Sequence, residues 1–237
     1  MGLLNILFKK KTPHYGDLNK TRIIYELLQI PSIERNDEWK KIFLENVGAA
    51  CFRSDNKISI GPDGFPYFEL YAPIENQSFQ RFVIDEIVPD YLLKEGFGIS
   101  INPNKEKTDW VFSYGDIVNY YLKKEFYTKI HNNKLINNKN NTESLIAQPS
   151  ESLLPNDTRI ALKNALSHIG INDVKLFLLH RLSNNSQELV FNITPDKLKN
   201  NNELFDLAQI VISWHLPKHY LTCGANEEKF ENDFCKL

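Results

Sequence analysis

The sequence predicts an α+β protein made of two small α/β-sandwich-like domains, each a mixed or antiparallel sheet with helices packed on it. Three observations carry this. Hydrophobic residues switch between helical and alternating spacing several times along the chain. A polar span rich in Asn and Ser, residues 131–155, separates two segments that each keep their own periodicity. The later segment then runs α-β-β-α-β, the order of a small sheet with helices on one side. The expected division is therefore an N-terminal domain over residues 1–130, a linker over 131–155 and a C-terminal domain over 156–237.

Each element follows from local chemistry. In "DLNKTRIIYELLQIP", Ile23, Ile24, Leu27, Leu28 and Ile30 recur at helical spacing and Pro31 closes the run. "DEWKKIFLENVG" is a second helix, with Trp39, Ile42, Phe43 and Val47 on one side and Gly48 at its stop. "AACFRS" and "KISI" read as short strands around the turn residues "DN", and "PDG" at 62–64 marks a turn before the strand in "FPYFELYA". "SFQRFVIDEIVPDYLLKEG" reads as a helix kinked near Pro89, followed by a strand in "FGISINP" that Asn102 and Pro103 end. In the later segment "DTRIALKNALSHIG" is a helix with Asp157 or Thr158 as cap and Gly170 at its end. "VKLFLLHRL" and "ELVFNIT" are strands, and "PDKLKNNNELFDLAQIVISWHL" is a helix on which Leu204, Leu207, Ile210, Val211 and Trp214 share a face. "HYLTC" is a last short strand.

Composition narrows the function classes. The chain has 237 residues, 42% hydrophobic and 24% charged, ordinary for a globular protein with a real core. With 28 basic against 30 acidic side chains, the formal charge of -2 gives no reason to expect nucleic acid as a partner. The three cysteines, Cys51, Cys223 and Cys235, are far apart and odd in number, so a reducing cytoplasm is expected rather than a disulfide framework. The opening "MGLLNILFKKK" is too short to span a bilayer and lacks the charge order of a secretory signal. Leu3, Leu4, Leu7 and Phe8 fall on one helical side ahead of Lys9, Lys10 and Lys11, so residues 1–11 read as a short amphipathic leader. It either packs on its own domain, stays partly disordered, or makes a weak membrane-surface or partner contact.

No motif assembles a reactive centre. There is no G-x-S-x-G elbow and no H-E-x-x-H, and "GPDG" lacks the spacing and lysine of a phosphate loop. His215, His219 and Cys223 follow at spacings of four, but Pro217 breaks the helix that would align them for a metal. Neither a metal nor any other cofactor is expected. The densest aromatic stretch is "TDWVFSYGDIVNYY". Alternation puts Trp110, Phe112 and Tyr114 on one strand face. Gly115 then turns the chain and Asp116 caps the helix that follows. Most of this is core construction, yet a strand end meeting a helix start is also where pockets form. The polar strand face is in "FPYFELYA", where Tyr67, Glu69 and Tyr71 lie opposite Phe68 and Leu70 and Arg53 is within reach of Glu69. It reads as a solvated sheet face or as a binding surface. The candidate binding residues are thus Tyr67, Glu69, Tyr71, Asp109, Trp110 and Tyr114.

Three features together resemble the enhanced-serine-sensitivity protein B (SseB) family of bacteria: the "EGFGISINP" passage after a helix, the two-part split, and the block "ALKNALSHIGINDVKLFLLHRL…ELVFNI…LFDLAQIVISWHL". They touch about half of the chain. The resemblance implies a cytoplasmic bacterial protein with no established reaction, cofactor or catalytic residue. The leading expectation is a non-catalytic binding or regulatory protein that works through protein contacts, a toxin-immunity protein being one version. The competing expectation is an enzyme or small-ligand sensor with a pocket at residues 110–116.

Overall fold

The computed structural model describes residues 16–74, 77–103, 107–128, 144–183, 185–230 and 232–237. It is an α+β fold with helices and mixed sheets in both halves. The leader at residues 1–11 and the Asn-rich residues 131–143 lie outside the described residues.

The first half opens with two helices, α1 (Leu18–Gln29) and α2 (Asp37–Asn46). Asp17 starts α1 by accepting from the backbone N–H groups of Asn19 and Lys20, and Asn36 starts α2 by accepting from that of Trp39. The strands β1 (Cys51–Arg53), β2 (Ile58–Ile60), β3 (Pro66–Leu70), β4 (Arg81–Val83), β5 (Gly98–Ile101) and β6 (Trp110–Phe112) follow. Four of them form a sheet in the order β2-β3-β5-β6, with β3 and β5 parallel and the outer pairs antiparallel. The strand β1 pairs with β4 rather than β2, and Arg53 and Tyr71 exchange backbone hydrogen bonds that tie this small ribbon to the end of β3. Between β4 and β5 runs the stretch expected as one kinked helix. Its first residues extend as β4; then come α3 (Ile84–Ile87), a π turn at Val88–Leu92 that holds Pro89, and α4 (Leu93–Glu95). Proline has no N–H to give the helix ladder, and the wider turn absorbs it. The core of this half joins Phe43, Phe52, Phe68, Leu70, Val88, Ile99 and Phe112.

The helix α5 (Tyr114–Lys123) ends the first half. The sequence placed Tyr114 on the strand and Asp116 at the cap. Instead the strand stops at Phe112 and Ser113 is the cap, because Ser113 and Asp116 form a reciprocal capping box. The Ser113 hydroxyl accepts from the Asp116 N–H, and the Asp116 carboxylate accepts from the Ser113 N–H.

The second half contains β7 (Ser144–Ala147), α6 (Asn156–His168), β8 (Lys175–Arg181), β9 (Ser186–Phe191), α7 (Asn202–His215), β10 (Leu221–Gly224) and β11 (Cys235–Lys236). The order is β10-β9-β8, and β11 and β7 take successive parts of the outer edge of β8. The α-β-β-α-β series is present, with α6 and α7 packed over Leu176, Leu189 and Phe191. The other face is capped near Phe177 by Phe230 and Phe234. Residues 144–155, expected as linker, belong to this half: "SLIA" pairs with β8 and Leu154 is fully buried. The apolar pair Leu145–Ile146 has β propensity, and the β8 edge supplies its hydrogen bonds.

A third cluster spans both halves. Tyr67, Leu93, Tyr114 and Val118 from the first meet Ala161 and Trp214 from the second. Gly115 is essential here. A Cβ on it would lie 2.0 Å from the Leu216 carbonyl oxygen, so its role is close approach of two backbones, not the sharp turn expected.

Candidate binding cleft

The six residues singled out from sequence go to four places. Glu69 and Tyr71 share a sheet face, and the Tyr71 hydroxyl donates to Glu69 at 2.6 Å. Lys57, not Arg53, pairs with Glu69 at 3.3 Å, while the Arg53 guanidinium lies 4.7 Å from the Tyr71 ring centre. Burial pushes the Glu69 carboxyl up, but hydrogen bonds from Tyr71 and Ser59 and the Lys57 ammonium outweigh it and hold the group below its ordinary value. Tyr67 on the same strand belongs to the seam between the halves: its hydroxyl donates to Asp63 and accepts from Trp214 Nε1 at 3.0 Å. Asp109 is clamped at 2.6 Å by Arg35 and accepts from Asn102 at 2.8 Å, which fastens the β5–β6 connection to the end of α1. Trp110 packs on Phe43 and Trp39, with ring centres 5.1 and 5.7 Å apart. Tyr114 is buried and donates to the Leu93 carbonyl at 2.6 Å.

These positions correct the solvated strand face expected from sequence. Tyr67, Glu69 and Tyr71 are at most 5% exposed, so they do not form a solvated face. The strand β3 lies between β2 and β5, α7 covers Tyr67, and the side chains of Tyr71 and Lys57 roof Glu69. At residues 110–116 Gly115 lies against Leu216 and Lys218 pairs with buried Asp116 at 3.1 Å, while beside Ser113 an open hollow of about 470 Å³ is lined by Phe65, Trp214 and Lys218. Burial drives the Asp116 carboxyl above its ordinary value, and Lys218 only partly offsets this. The histidines separate too: His215 is buried and bonded to Val211, while His219 lies beside Lys123. Among the described residues no group of three or more His, Cys, Asp or Glu is placed to hold a metal ion.

A separate opening lies between α2 and the end of α5. At Lys124 the backbone turns left-handed (φ 58°) and sends residues 125–128 back along the helix. Asn119 fastens this return: its Nδ2 donates to the Glu125 carbonyl at 2.7 Å and its Oδ1 accepts from Thr128 at 3.2 Å. Phe126 stacks between Phe112 and Tyr120, with centres 4.0 and 4.2 Å apart. The result is a cleft of about 960 Å³ whose floor includes Leu44, Tyr120, Phe126 and Tyr127. Gly48 forms part of its wall, because a Cβ there would meet the Tyr120 hydroxyl at 1.9 Å.

The rim is charged in balance, with Lys20, Lys40, Lys41 and Lys124 against Asp37, Glu45, Asp85 and Glu125. Asp85 is engaged, accepting from Tyr120 at 2.9 Å and from Lys124 at 3.2 Å. The Lys40 and Lys218 ammonium groups both sit over the Tyr127 ring, 5.3 and 4.6 Å from its centre. Burial raises the hydroxyls of Tyr120 and Tyr127 well above the ordinary tyrosine value, so both remain neutral donors at physiological pH. Aromatic surface between fixed charges is equipped for holding a ligand. None of the six sequence candidates lines this cleft. Its available signal was "KKEFYTK", two rings after a lysine pair where the helical pattern stops, but nothing local brings that run beside α2.

No protein-family model, curated protein or solved structure matches the chain.

Proposed function

We propose that this chain is a non-catalytic binding protein that holds a segment of another polypeptide in the cleft between α2 and the end of α5. The observation that carries the reading is the cleft itself: about 960 Å³, floored by aromatic and aliphatic side chains and rimmed by four lysines and four carboxylates. That volume suits a few side chains, and aromatic anchors inside a polar rim are how protein interfaces are built. The balanced rim disfavours a polyanion, which is recognised by cations without matching acids. The enzyme or sensor reading has less support, because Gly115 is packed on the Leu216 backbone, Asp116 is paired with Lys218, and the hollow beside Ser113, about 470 Å³, has about half the volume of the cleft. Cys51, Cys223 and Cys235 are not joined in disulfides, which supports a reducing cytoplasmic setting. The likeness to the SseB family, which implies no reaction, supports regulation by contact. A toxin-immunity protein is one form of the same reading.

Selection of random 15-residue peptides displayed on phage tests this. Peptides enriched on the full chain are expected to lose about tenfold or more in affinity on Leu44→Glu, a half-buried cleft residue whose replacement removes apolar contact. Equal binding to both forms, with both folded by circular dichroism, overturns the assignment of the site.

A further inference from the structure

We propose that the cleft is regulated by this chain's own N-terminus, with Leu3, Leu4, Leu7 and Phe8 occupying the floor and competing with the incoming segment. The inference rests on the reading of the cleft given above and adds its first occupant. The seat of Gly16 and Asp17 carries it. Gly16 packs directly on Cys51, Val83 and Ala49, and the N–H of Asp17 donates to the Ala49 carbonyl at 2.9 Å. Ala49, its neighbour Gly48, and Lys20 in the first turn of α1 are all cleft wall. Gly16 and the start of α1 therefore sit beside the opening. The eight residues from Phe8 to Gly16 reach at most about 28 Å when extended, ample for a site at the point of attachment.

The chemistry fits as well as the tether. Four apolar side chains spaced for one helical side match a floor of Leu44, Tyr120, Phe126 and Tyr127. Lys9, Lys10 and Lys11 follow at once, and Asp37, Glu45 and Glu125 on the rim form no ion pair among the described residues. A short tether holds such a segment at an effective concentration on the order of millimolar, so modest intrinsic affinity fills the site. A partner then binds only the fraction of molecules whose cleft is open.

The test uses the full chain and its Leu4→Asp/Leu7→Asp variant, with a phage-selected peptide that requires Leu44 as probe. The variant is expected to bind this peptide about five- to tenfold more tightly than the wild type. Amide exchange in residues 40–49 and 120–128 is expected to quicken in the variant. Equal affinity with unchanged exchange overturns the inference and leaves the cleft reading standing. If no selected peptide depends on Leu44, the cleft reading falls, and exchange alone still judges the leader: faster exchange supports it and unchanged exchange overturns it. Co-sedimentation with phosphatidylserine vesicles covers the other role open to residues 1–11. Pelleting that the variant abolishes, with no change in exchange, assigns the leader to a lipid surface and overturns the proposal.

Discussion

His215 ends α7 among aromatic rings, 4.9 Å from the centre of Trp214 and 5.5 Å from that of Tyr114, and it is 4% exposed. Its Nδ1–H donates to the Val211 carbonyl at 2.8 Å. Burial disfavours the imidazolium and lowers its pKa to about 4, the hydrogen bond opposing only in part. The unfolded chain therefore takes up a proton near pH 6.5 that the folded chain refuses until about pH 4. Stability present above pH 6.5 falls as pH drops through that window and levels off below it, by roughly 3 kcal/mol at most for this one group. Urea titrations of His215→Phe between pH 4 and pH 7 are expected to show a shallower acid slope than the wild type. An identical slope places the acid sensitivity in other groups.

At the scale of elements, α5 shows how a few local bonds set a boundary that the hydrophobic pattern misplaces. Alternation of rings carried the strand through Tyr114, but the capping box draws Tyr114 into the first helical turn. There its side chain points to the seam between the halves and reaches Leu93. Ser113→Ala leaves an N–H of that turn without its side-chain acceptor and is expected to cost about 1 kcal/mol, with Ser113→Asp restoring most of it. Equilibrium unfolding in urea reads both. The other end of α5 matters as much to the proposed function, since the left-handed Lys124 turns the chain back and makes one wall of the cleft.

For the whole molecule, the seam decides whether two small cores act as one. Cluster residues from α4, α5, α6 and α7 meet there, and the Tyr67–Trp214 bond and the Asp116–Lys218 pair cross it. Calorimetry of the full chain is expected to give one transition. Gly115→Val drives a side chain into the Leu216 backbone, where nothing can yield cheaply, so it should lower the midpoint by several degrees and separate two transitions. A single transition at an unchanged midpoint would show that the halves are independent of this contact.

What the sequence by itself determined is local. The helix spans in "DLNKTRIIYELLQ" and "DEWKKIFLEN", the strand in "PYFEL" with Phe68 and Leu70 opposite Glu69, and the α-β-β-α-β run all follow from spacing and capping chemistry between near neighbours. Tertiary structure alone decided what each surface faces. Tyr67 and Tyr114 became buried because residues nearly a hundred or more positions later cover them, and Arg53 yielded Glu69 to Lys57 because β1 joined β4 instead of β2. The cleft needs α2 beside residues 124–128, a contact some eighty residues apart in the chain. Such pairings are chosen by which apolar faces bury each other, a property of the assembled molecule that no window of neighbouring residues contains.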